Sequence, residues 1–219
     1  MEGREGDGGS EKSAFRWLNA ARFAVAAVVI VLIVVVIVNA IKVVLRPDTL
    51  RLSVVGGSVY STPLPADQAA VALDLTLRAE NPSGRVRMYF LNITIYLFNN
   101  TTPASTSKPF DDSIIAFQAV DEVVAQQMSA DSACKVEATN DDMTSPYFDM
   151  LYAKRDIITD VTMRVDGKIV TEVRSGINRT NLAMFYCWPL FVGGYPGDEA
   201  SNSWPDVPCT HMPGSQSNE

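Results

Sequence analysis

The chain has 219 residues, of which 47% are hydrophobic and 20% charged, and its formal net charge is −7. The charge is divided unevenly, because the residues up to Arg46 sum to +2 and those from Pro47 onward sum to −9. An acidic segment without a stripe of Lys and Arg is poorly suited to follow a phosphate backbone, so we expect no nucleic-acid partner. The apolar content is typical of a chain that folds.

Residues 1–21 are predicted to be a disordered cytosolic tail. The first part, residues 1–13, is rich in glycine and charge and has no large apolar side chain after Met1. Such a segment cannot bury enough apolar surface to offset the entropy of ordering it.

Residues 22–45 are predicted to form a transmembrane helix. From Phe23 to Ile41 the only polar side chain is Asn39. At about 1.5 Å per residue this run spans roughly 28 Å as a helix, close to the hydrocarbon thickness of about 30 Å. Basic residues flank the run equally, so the positive-inside rule does not orient it. A core helix of a soluble domain would have a polar face, and this run has none.

A cleavable signal peptide is the alternative for this segment. Val38-Asn39-Ala40 resembles a small-x-small cleavage site near the N-terminus. The apolar region of a signal peptide is usually about 7 to 15 residues, and this run is longer, so we favour an uncleaved anchor.

Acceptor triplets for N-glycosylation orient the chain. Four of them follow the apolar run, beginning at Asn92, Asn99, Asn100 and Asn178. A chain rich in Asn, Ser and Thr produces one or two by chance, whereas four favour a lumenal or extracellular C-terminal side. We therefore predict a single-pass anchor with a cytosolic N-terminus and its large C-terminal domain on the lumenal or extracellular side.

The three cysteines, Cys134, Cys187 and Cys209, all lie in the predicted outer segment. In an oxidising compartment an odd count leaves one thiol free or in an intermolecular bond. We favour a Cys187–Cys209 disulfide, which closes a loop rich in glycine and proline and contributes about 3 kcal/mol in the chain-entropy model. Three unpaired thiols remain the alternative.

A period of two dominates residues 46–192, which are predicted to form one domain. One strand has an apolar face of Val71, Leu73, Leu75, Leu77 and Ala79, and a second has an apolar face of Ile157, Thr159, Val161, Met163 and Val165. Further strands are predicted near residues 50–55, 114–124, 168–173 and 182–187. Seven or so short strands at this spacing are typical of an antiparallel β-sandwich of the fibronectin or immunoglobulin kind.

Turn and break signals connect these strands. Met88 and Phe90 have the opposite parity to Ile93 and Ile95, so a bulge is predicted near Leu91 and Asn92. The remaining signals are the turn Asn81-Pro82-Ser83-Gly84, the hairpin dipeptide Asp166-Gly167, and Ser145-Pro146 as the start of a short helix over residues 147–154. Residues 193–219 are predicted to be a flexible polar tail.

The arrangement of these elements resembles a known family. An apolar span and Arg46-Pro47 precede residues 73–83, which read Leu-Asp-Leu-Thr-Leu-Arg-Ala-Glu-Asn-Pro-Ser, and the basic and aromatic residues 85–90 follow. This order, with the aromatic close at residues 185–190, is similar to the plant late embryogenesis abundant group-two family, and within it to harpin-induced-like, disease-resistance-associated membrane proteins. The resemblance implies a fibronectin-like β-sandwich, a cytosolic N-terminus and a cell-surface role in defence or stress.

No catalytic, cofactor-binding or metal-binding residue is predicted. His211, the only histidine, lies in the predicted flexible tail, where a mobile base cannot hold the roughly 3 Å geometry of nucleophilic catalysis. Cys209-x-His211 lacks the second pair of a zinc site. Adjacent acids such as Asp111-Asp112 point to opposite faces of a strand and lack the spacing of a calcium loop.

Two aromatic residues beyond the expected last strand, Tyr195 and Trp204, are the candidate contacts with a partner. The aromatic stretch of residues 185–191 is assigned first to the core, where its rings fill the sandwich, and an exposed contact patch is the alternative. The small-residue spacing Ala20-x-x-x-Ala24 leaves open whether the spans associate into a homo-oligomer.

Together the residues and the resemblance predict a non-enzymatic cell-surface protein of plant defence or stress. Its outer β-sandwich would bind or brace a protein or a cell-wall partner, and the bilayer would hold its helix. The alternative is a lipid-binding module that holds an acyl chain between the sheets. A membrane-anchored hydrolase is a third reading, disfavoured by the single histidine.

Overall fold

The computed structural model describes residues 10–44, 49–65, 68–172, 178–195 and 204–213. The chain divides into two compact units, Met1–Arg46 and Pro47–Glu219, and each is described by itself. Residues 1–9 of the predicted disordered tail, the Arg46-Pro47 element, Val173 at the end of a predicted strand and most of the predicted C-terminal tail lie outside the described residues.

The first unit contains one helix, α1 (Ser10–Val44). Within it Ala21–Ile41 has a mean hydropathy of 3.3 and is long and apolar enough to cross a membrane. The polar Asn39 is accommodated because its Nδ2 donates a hydrogen bond to the Val35 carbonyl one turn earlier (2.9 Å). The helix begins at Ser10, so the prediction of disorder up to residue 21 is wrong from Ser10 onward, because the helix continues N-terminally past the apolar run.

The second unit is mainly β. Its strands are β1 (Arg51–Val54), β2 (Ser58–Pro63), β3 (Ala70–Glu80), β4 (Arg87–Phe98), β5 (Ile115–Gln118), β6 (Glu122–Val124), β7 (Ser129–Thr139), β8 (Ile158–Glu172), β9 (Asn178–Val192) and β10 (Val207–Pro213). A 3-10 turn (Val55–Gly57) separates β1 from β2. The helical segments are α2 (Pro109–Asp112) and α3 (Tyr147–Asp149), and α3 continues as a π-helical turn over Met150–Lys154. The predicted short helix is therefore present, although no side chain caps it.

The strands form two groups that close around one core, which confirms the predicted antiparallel β-sandwich. In the first group β3 pairs with β7, β1 and β2, and in the second β8 lies between β4 and β9, with β5 and β6 pairing to β4. Every pair is antiparallel except β2 with β9, which are parallel and join the groups. Strand β10 joins them again by pairing with both β1 and β9.

The core contains side chains from both groups of strands. Leu73 and Leu75 of β3, Phe90 and Ile95 of β4 and Phe185 of β9 belong to one buried apolar cluster. The predicted alternation of β3 is confirmed, because Val71, Leu73, Leu75, Leu77 and Ala79 are all buried. The predicted bulge is also present: the pairing of β4 with β8 shifts between Leu91 and Thr94, and Asn92 has a φ of 53°.

The predicted hairpin turn at Asp166-Gly167 is wrong, because both residues lie inside the continuous strand β8. Gly167 has a packing role instead. A Cβ at this position would lie 2.5 Å from Cε2 of the buried Phe90 ring and 3.2 Å from the Leu91 carbonyl oxygen. The glycine therefore lets β4 and β8 approach closely, a contact between distant segments that a turn signal does not reveal.

The predicted apolar face of β8 is correct from Val161 onward and wrong before it. Ile157 is exposed and Ile158 is buried, the reverse of the prediction. The pairing with β9 shifts between Ile158 and Val161, where Asp160 has a φ of 58°. An irregularity of this kind changes which face the side chains point to, so a period of two read across it places the earlier residues on the wrong face.

The predicted flexible tail from residue 193 is wrong over Val207–Pro213, which forms β10. Five residue pairs connect β10 to β9, from Cys209 with Cys187 to Pro213 with Ala183. The short segment has little apolar periodicity of its own, and its order comes from this pairing. The domain therefore extends beyond the predicted boundary at residue 192.

Candidate functional site

The predicted glycosylation acceptors differ in accessibility. Asn92, Asn100 and Asn178 are exposed. Asn99 is half-buried, and its Nδ2, the atom that would carry a glycan, donates a hydrogen bond to the Tyr147 hydroxyl. Its Oδ1 accepts hydrogen bonds from the backbone of Thr101 (3.1 Å) and of Thr102 (2.9 Å). Asn99 is thus held as a structural residue of its loop, and Asn100 presents the overlapping acceptor to solvent.

A disulfide joins Cys187 and Cys209, the pair favoured from the sequence. The two residues lie directly opposite each other on β9 and β10, with a Cα–Cα distance of 4.1 Å. The bond therefore fastens the last strand to the second group of strands. Cys134 is a buried free thiol on β7, and burial raises the pKa of this thiol, so it is unreactive in the folded protein.

The two predicted contact residues, Tyr195 and Trp204, have different environments. Tyr195 is exposed, at 38%. Trp204 is half-buried and stacks on Phe191, with ring centroids 4.1 Å apart. Much of the Trp204 ring is therefore covered by its contact with Phe191, whereas the Tyr195 side chain is accessible to a partner.

His211 was predicted to be a solvated residue of a flexible tail, and this prediction is wrong. The residue belongs to β10. It is half-buried, and its ring lies 5.0 Å from that of the buried Phe185. The cross-strand pairing of His211 with Phe185 explains the contact. Among the residues that the structure describes, no group of three or more His, Cys, Asp or Glu side chains could hold a metal ion.

The structure shows an outward-facing row of apolar side chains on β9, in a stretch for which the sequence favoured the core over an exposed contact patch. Phe185 and Cys187 point into the core, so the alternate residues Leu182, Met184, Tyr186 and Trp188 face outward. Trp188 is 59% exposed and Leu182 62%, and the exposed Met212 of β10 lies beside Met184. We call these five residues the outer row. The period of two within residues 185–191 carried this signal, but the whole stretch was assigned to the core.

A groove of about 670 Å³ lies at the Trp188 end of the outer row. One wall is the loop of residues 99–105, and the floor comes from β8, β9 and β10. Its lining includes Asn100, Ser105, Asp160, Tyr186, Trp188 and Met212. We call this the Trp188 groove. It combines an exposed aromatic ring with amide, hydroxyl and carboxylate groups, the mixture typical of ligand sites.

The loop wall of the Trp188 groove is fastened to the sheet by Arg164. Its Nη1 donates hydrogen bonds to the carbonyls of Ala104 (3.1 Å) and Thr106 (3.0 Å), while Nε and Nη2 bind the Asp166 carboxylate at 2.7–3.0 Å. Hydrogen bonding to Asp166 raises the pKa of Arg164, so this buried guanidinium remains charged. Each of its three nitrogens donates to a protein acceptor, and these bonds hold the loop wall against the sheet.

A smaller groove of about 330 Å³ lies at the Leu182 end of the outer row. Leu182, Ala183, Met184 and Gly167 line it together with Asn92. A glycan on Asn92 would extend from the rim of this second groove. The two ends of the outer row therefore differ, since the Trp188 end offers an aromatic ring and the Leu182 end aliphatic and sulfur-containing side chains.

The described parts of the chain define a mainly antiparallel β domain and, as a separate unit, a helix that is long and apolar enough to span a membrane. No family model matches the chain, and no curated protein matches it. Among solved structures, the chain is similar to a Bordetella pertussis protein provisionally assigned as ApaA, with 14% identity and a TM-score of 0.35 over 64% of this chain and 94% of that one. The assignment of function therefore depends on the residues themselves.

Proposed function

We propose that the protein is a non-enzymatic, single-pass membrane protein that displays its β domain at the cell surface and binds a protein or cell-wall partner there. The N-terminus is cytosolic and the β domain extracellular, at the plasma membrane. The resemblance to the late embryogenesis abundant group-two and harpin-induced-like proteins supports a role in plant defence or abiotic stress. Three features agree with an oxidising, extracytosolic location: the Cys187–Cys209 disulfide, the exposed acceptors Asn92, Asn100 and Asn178, and the apolar helix.

The observation that carries the recognition role is the outer row, in which Leu182, Trp188 and Met212 are exposed and Met184 and Tyr186 are half-buried. A tryptophan that is 59% exposed on a strand of a packed sheet costs hydration free energy, and contiguous exposed apolar side chains often mark an interaction site. Trp and Tyr are also enriched among the residues that dominate binding energies. The outer row therefore supports binding at this face of the β domain.

The Asn81-Pro82-Ser83 turn, the most recognisable part of the family resemblance, supports a structural role and not a binding role. Asn81 is fully buried and bonds to the backbone carbonyls of Val86 and Val124. The same residues that suggest the family therefore stabilise the domain, and they leave the recognition role to the outer face.

Tight packing at the centre of the sandwich disfavours the lipid-binding alternative. Phe90 packs edge-to-face against Phe185, with ring centroids 5.8 Å apart, and no space remains even for a Cβ at Gly167. An acyl chain at this place would have to displace both rings, at the cost of the buried area that they provide.

Topology is tested first, in intact cells that express the full chain. Removal of glycans by an endoglycosidase should increase the gel mobility, and an external protease should remove the β domain and leave an N-terminal tag protected. An N-terminus of the mature protein near Ile41 would instead indicate a cleaved, secreted form, and a protected β domain would refute the proposed orientation.

Recognition is tested by proximity labelling from the β domain on intact tissue. The variant Trp188→Ala combined with Met212→Ala should lose the labelled partners. The control is Val120→Ala, which removes an apolar side chain that is 70% exposed outside the outer row and the Trp188 groove. Identical labelling by both variants would refute the outer row as the recognition surface.

A further inference from the structure

We propose that the Trp188 groove binds a neutral saccharide chain, with the indole of Trp188 as the platform for one sugar ring. This inference rests on the proposed cell-surface function and deepens it, because it names carbohydrate as the chemistry of the partner.

The exposed ring provides a surface of the right kind for a sugar. One face of a pyranose presents C–H groups, which carry partial positive charge, and the face of an indole ring is electron-rich. Trp188 is 59% exposed at the groove and therefore keeps much of its surface available, unlike Trp204, which stacks on Phe191. Tyr186 adds a second, half-buried ring to the floor of the groove.

The groups around Trp188 can satisfy sugar hydroxyls. A hydroxyl both donates and accepts, so a saccharide site needs donors and acceptors close to its aromatic platform. The hydroxyl residues Thr102 and Ser105 line its loop wall, and Thr162 and Asp160 line its floor. Asp160 has a φ of 58°, and a non-glycine residue in this conformation is disfavoured unless its surroundings hold it there. The irregularity in β8 places this carboxylate on the groove and not in a regular ladder.

The charge of the groove favours a neutral ligand. Among the described residues, its lining includes one carboxylate, Asp160, and no Lys, Arg or His. Arg164, which holds the loop wall, is buried, and each of its three nitrogens donates to Asp166 or to the carbonyls of Ala104 and Thr106. A uronic-acid polymer or a phosphate would meet Asp160 without a compensating cation, so both are disfavoured.

The rigidity of the groove lowers the cost of binding. Arg164 fixes the loop wall from the sheet side, and Asn99 fixes its beginning through Tyr147 and the backbone of Thr101 and Thr102. Few groups then remain to be ordered when a ligand enters. The volume of about 670 Å³ lies within the range of small-molecule sites, about 300 to 1,000 Å³.

A glycan attached to Asn100 is the rival occupant, because this acceptor lies on the wall of the groove. The test therefore uses the full chain in lipid nanodiscs, both as the glycosylated wild type and as Asn100→Gln, which removes that glycan. Cellohexaose, xylohexaose and mannohexaose are the neutral probes, and hexagalacturonate is the charged probe. Binding is measured by tryptophan fluorescence and by calorimetry.

The expected result is that wild type and Asn100→Gln both bind at least one neutral probe and bind hexagalacturonate at least about tenfold more weakly. Trp188→Ala should weaken the neutral binding by about tenfold or more, whereas Val120→Ala, which removes an exposed apolar side chain outside the groove and the outer row, should leave it within about twofold. Asp160→Asn should narrow the preference for neutral over charged probe. Near-ultraviolet circular dichroism checks that each variant is folded.

Absence of binding by Asn100→Gln to every neutral probe would overturn the inference, as would a folded Trp188→Ala that binds as well as wild type. If Asn100→Gln bound a neutral probe and the glycosylated wild type did not, the groove would be assigned to the protein's own glycan. That result would also overturn the inference. These failures are distinguishable from failure of the proposed function, because orientation and labelled partners are measured without added saccharide.

Discussion

Substitution of Asn81 tests whether the Asn81-Pro82-Ser83 turn stabilises the domain. The side chain is fully buried, and its Nδ2 donates to the carbonyls of Val86 (2.9 Å) and Val124 (3.1 Å). Its Oδ1 accepts from the Ser83 N–H (3.0 Å). One side chain thus connects the end of β3 to the start of β4 and to β6. Its loss therefore destabilises strands of both groups.

Asn81→Ala should lower the free energy of unfolding by about 3 kcal/mol. It removes three hydrogen bonds that contribute about 1 kcal/mol each, and the backbone groups left behind are in a buried region, where an unsatisfied group costs about 1 to 3 kcal/mol. This loss is a large part of the roughly 5–15 kcal/mol that stabilises an ordinary domain. Urea unfolding of the full chain in detergent, followed by tryptophan fluorescence, measures it.

Asn81→Asp separates the hydrogen-bond argument from a simple packing effect. The carboxylate has the shape of the amide and still accepts from Ser83, but it cannot donate to the carbonyls of Val86 and Val124. Burial beside two carbonyl oxygens raises the pKa of this carboxyl in the folded state. The folded variant therefore binds a proton more readily than the unfolded chain, so its stability relative to wild type should increase as the pH falls from 7 toward 4.

The control for both variants is Asn181, an exposed residue of β9. Asn181→Ala and Asn181→Asp should each change the free energy of unfolding by no more than about 0.5 kcal/mol. The reasoning is refuted if Asn81→Ala costs less than about 1 kcal/mol, or if the gap between Asn81→Asp and wild type does not narrow on acidification.

Three further predictions concern the interior and the surface of the β domain. Gly167→Ala should destabilise the domain by about 1–3 kcal/mol, because the new methyl group overlaps the buried Phe90 ring; equal urea midpoints for variant and wild type would contradict this. Cys134 should resist iodoacetamide in the native, non-reduced protein and become the single labelled cysteine in denaturant. Mass spectrometry detects the label, and labelled Cys134 in the native protein would contradict its burial. Hydrogen bonding to Arg78 lowers the pKa of Asp131, so this exposed pair stabilises the domain above about pH 4 and loses its effect as the pH falls through the lowered value. The stability difference between wild type and Asp131→Asn should therefore shrink on acidification and in high salt, and a difference independent of pH would show that the ion pair contributes nothing.

Local sequence patterns predicted the features that depend on neighbouring residues. The apolar helix follows from a continuous run of apolar side chains, and the strand β3 from a period of two that runs without interruption. The bulge near Asn92 was predictable because two sets of apolar residues in one strand had opposite parity. The Cys187–Cys209 pair, favoured because it closes a short loop rich in glycine and proline, is present.

The errors occurred where a distant segment decides the outcome. Asp166-Gly167 has the composition of a turn, yet Phe90, far away in the chain, requires a glycine there so that β4 and β8 can approach. The segment containing His211 has no strong pattern and becomes a strand only because β9 offers it an edge and a disulfide holds it there.

The sequence by itself determined the long apolar helix, the class of fold and most strand positions, because a continuous apolar run and an alternation of apolar and polar residues are both local properties. Only the tertiary structure decided which aromatic residues are available to a partner. Trp188 and Tyr186 share a strand with the buried Phe185 and Cys187, and their exposure depends on whether another layer covers the outer face of β9. No layer covers Trp188 in the described structure, whereas the loop anchored by Arg164 stands beside it and forms the groove.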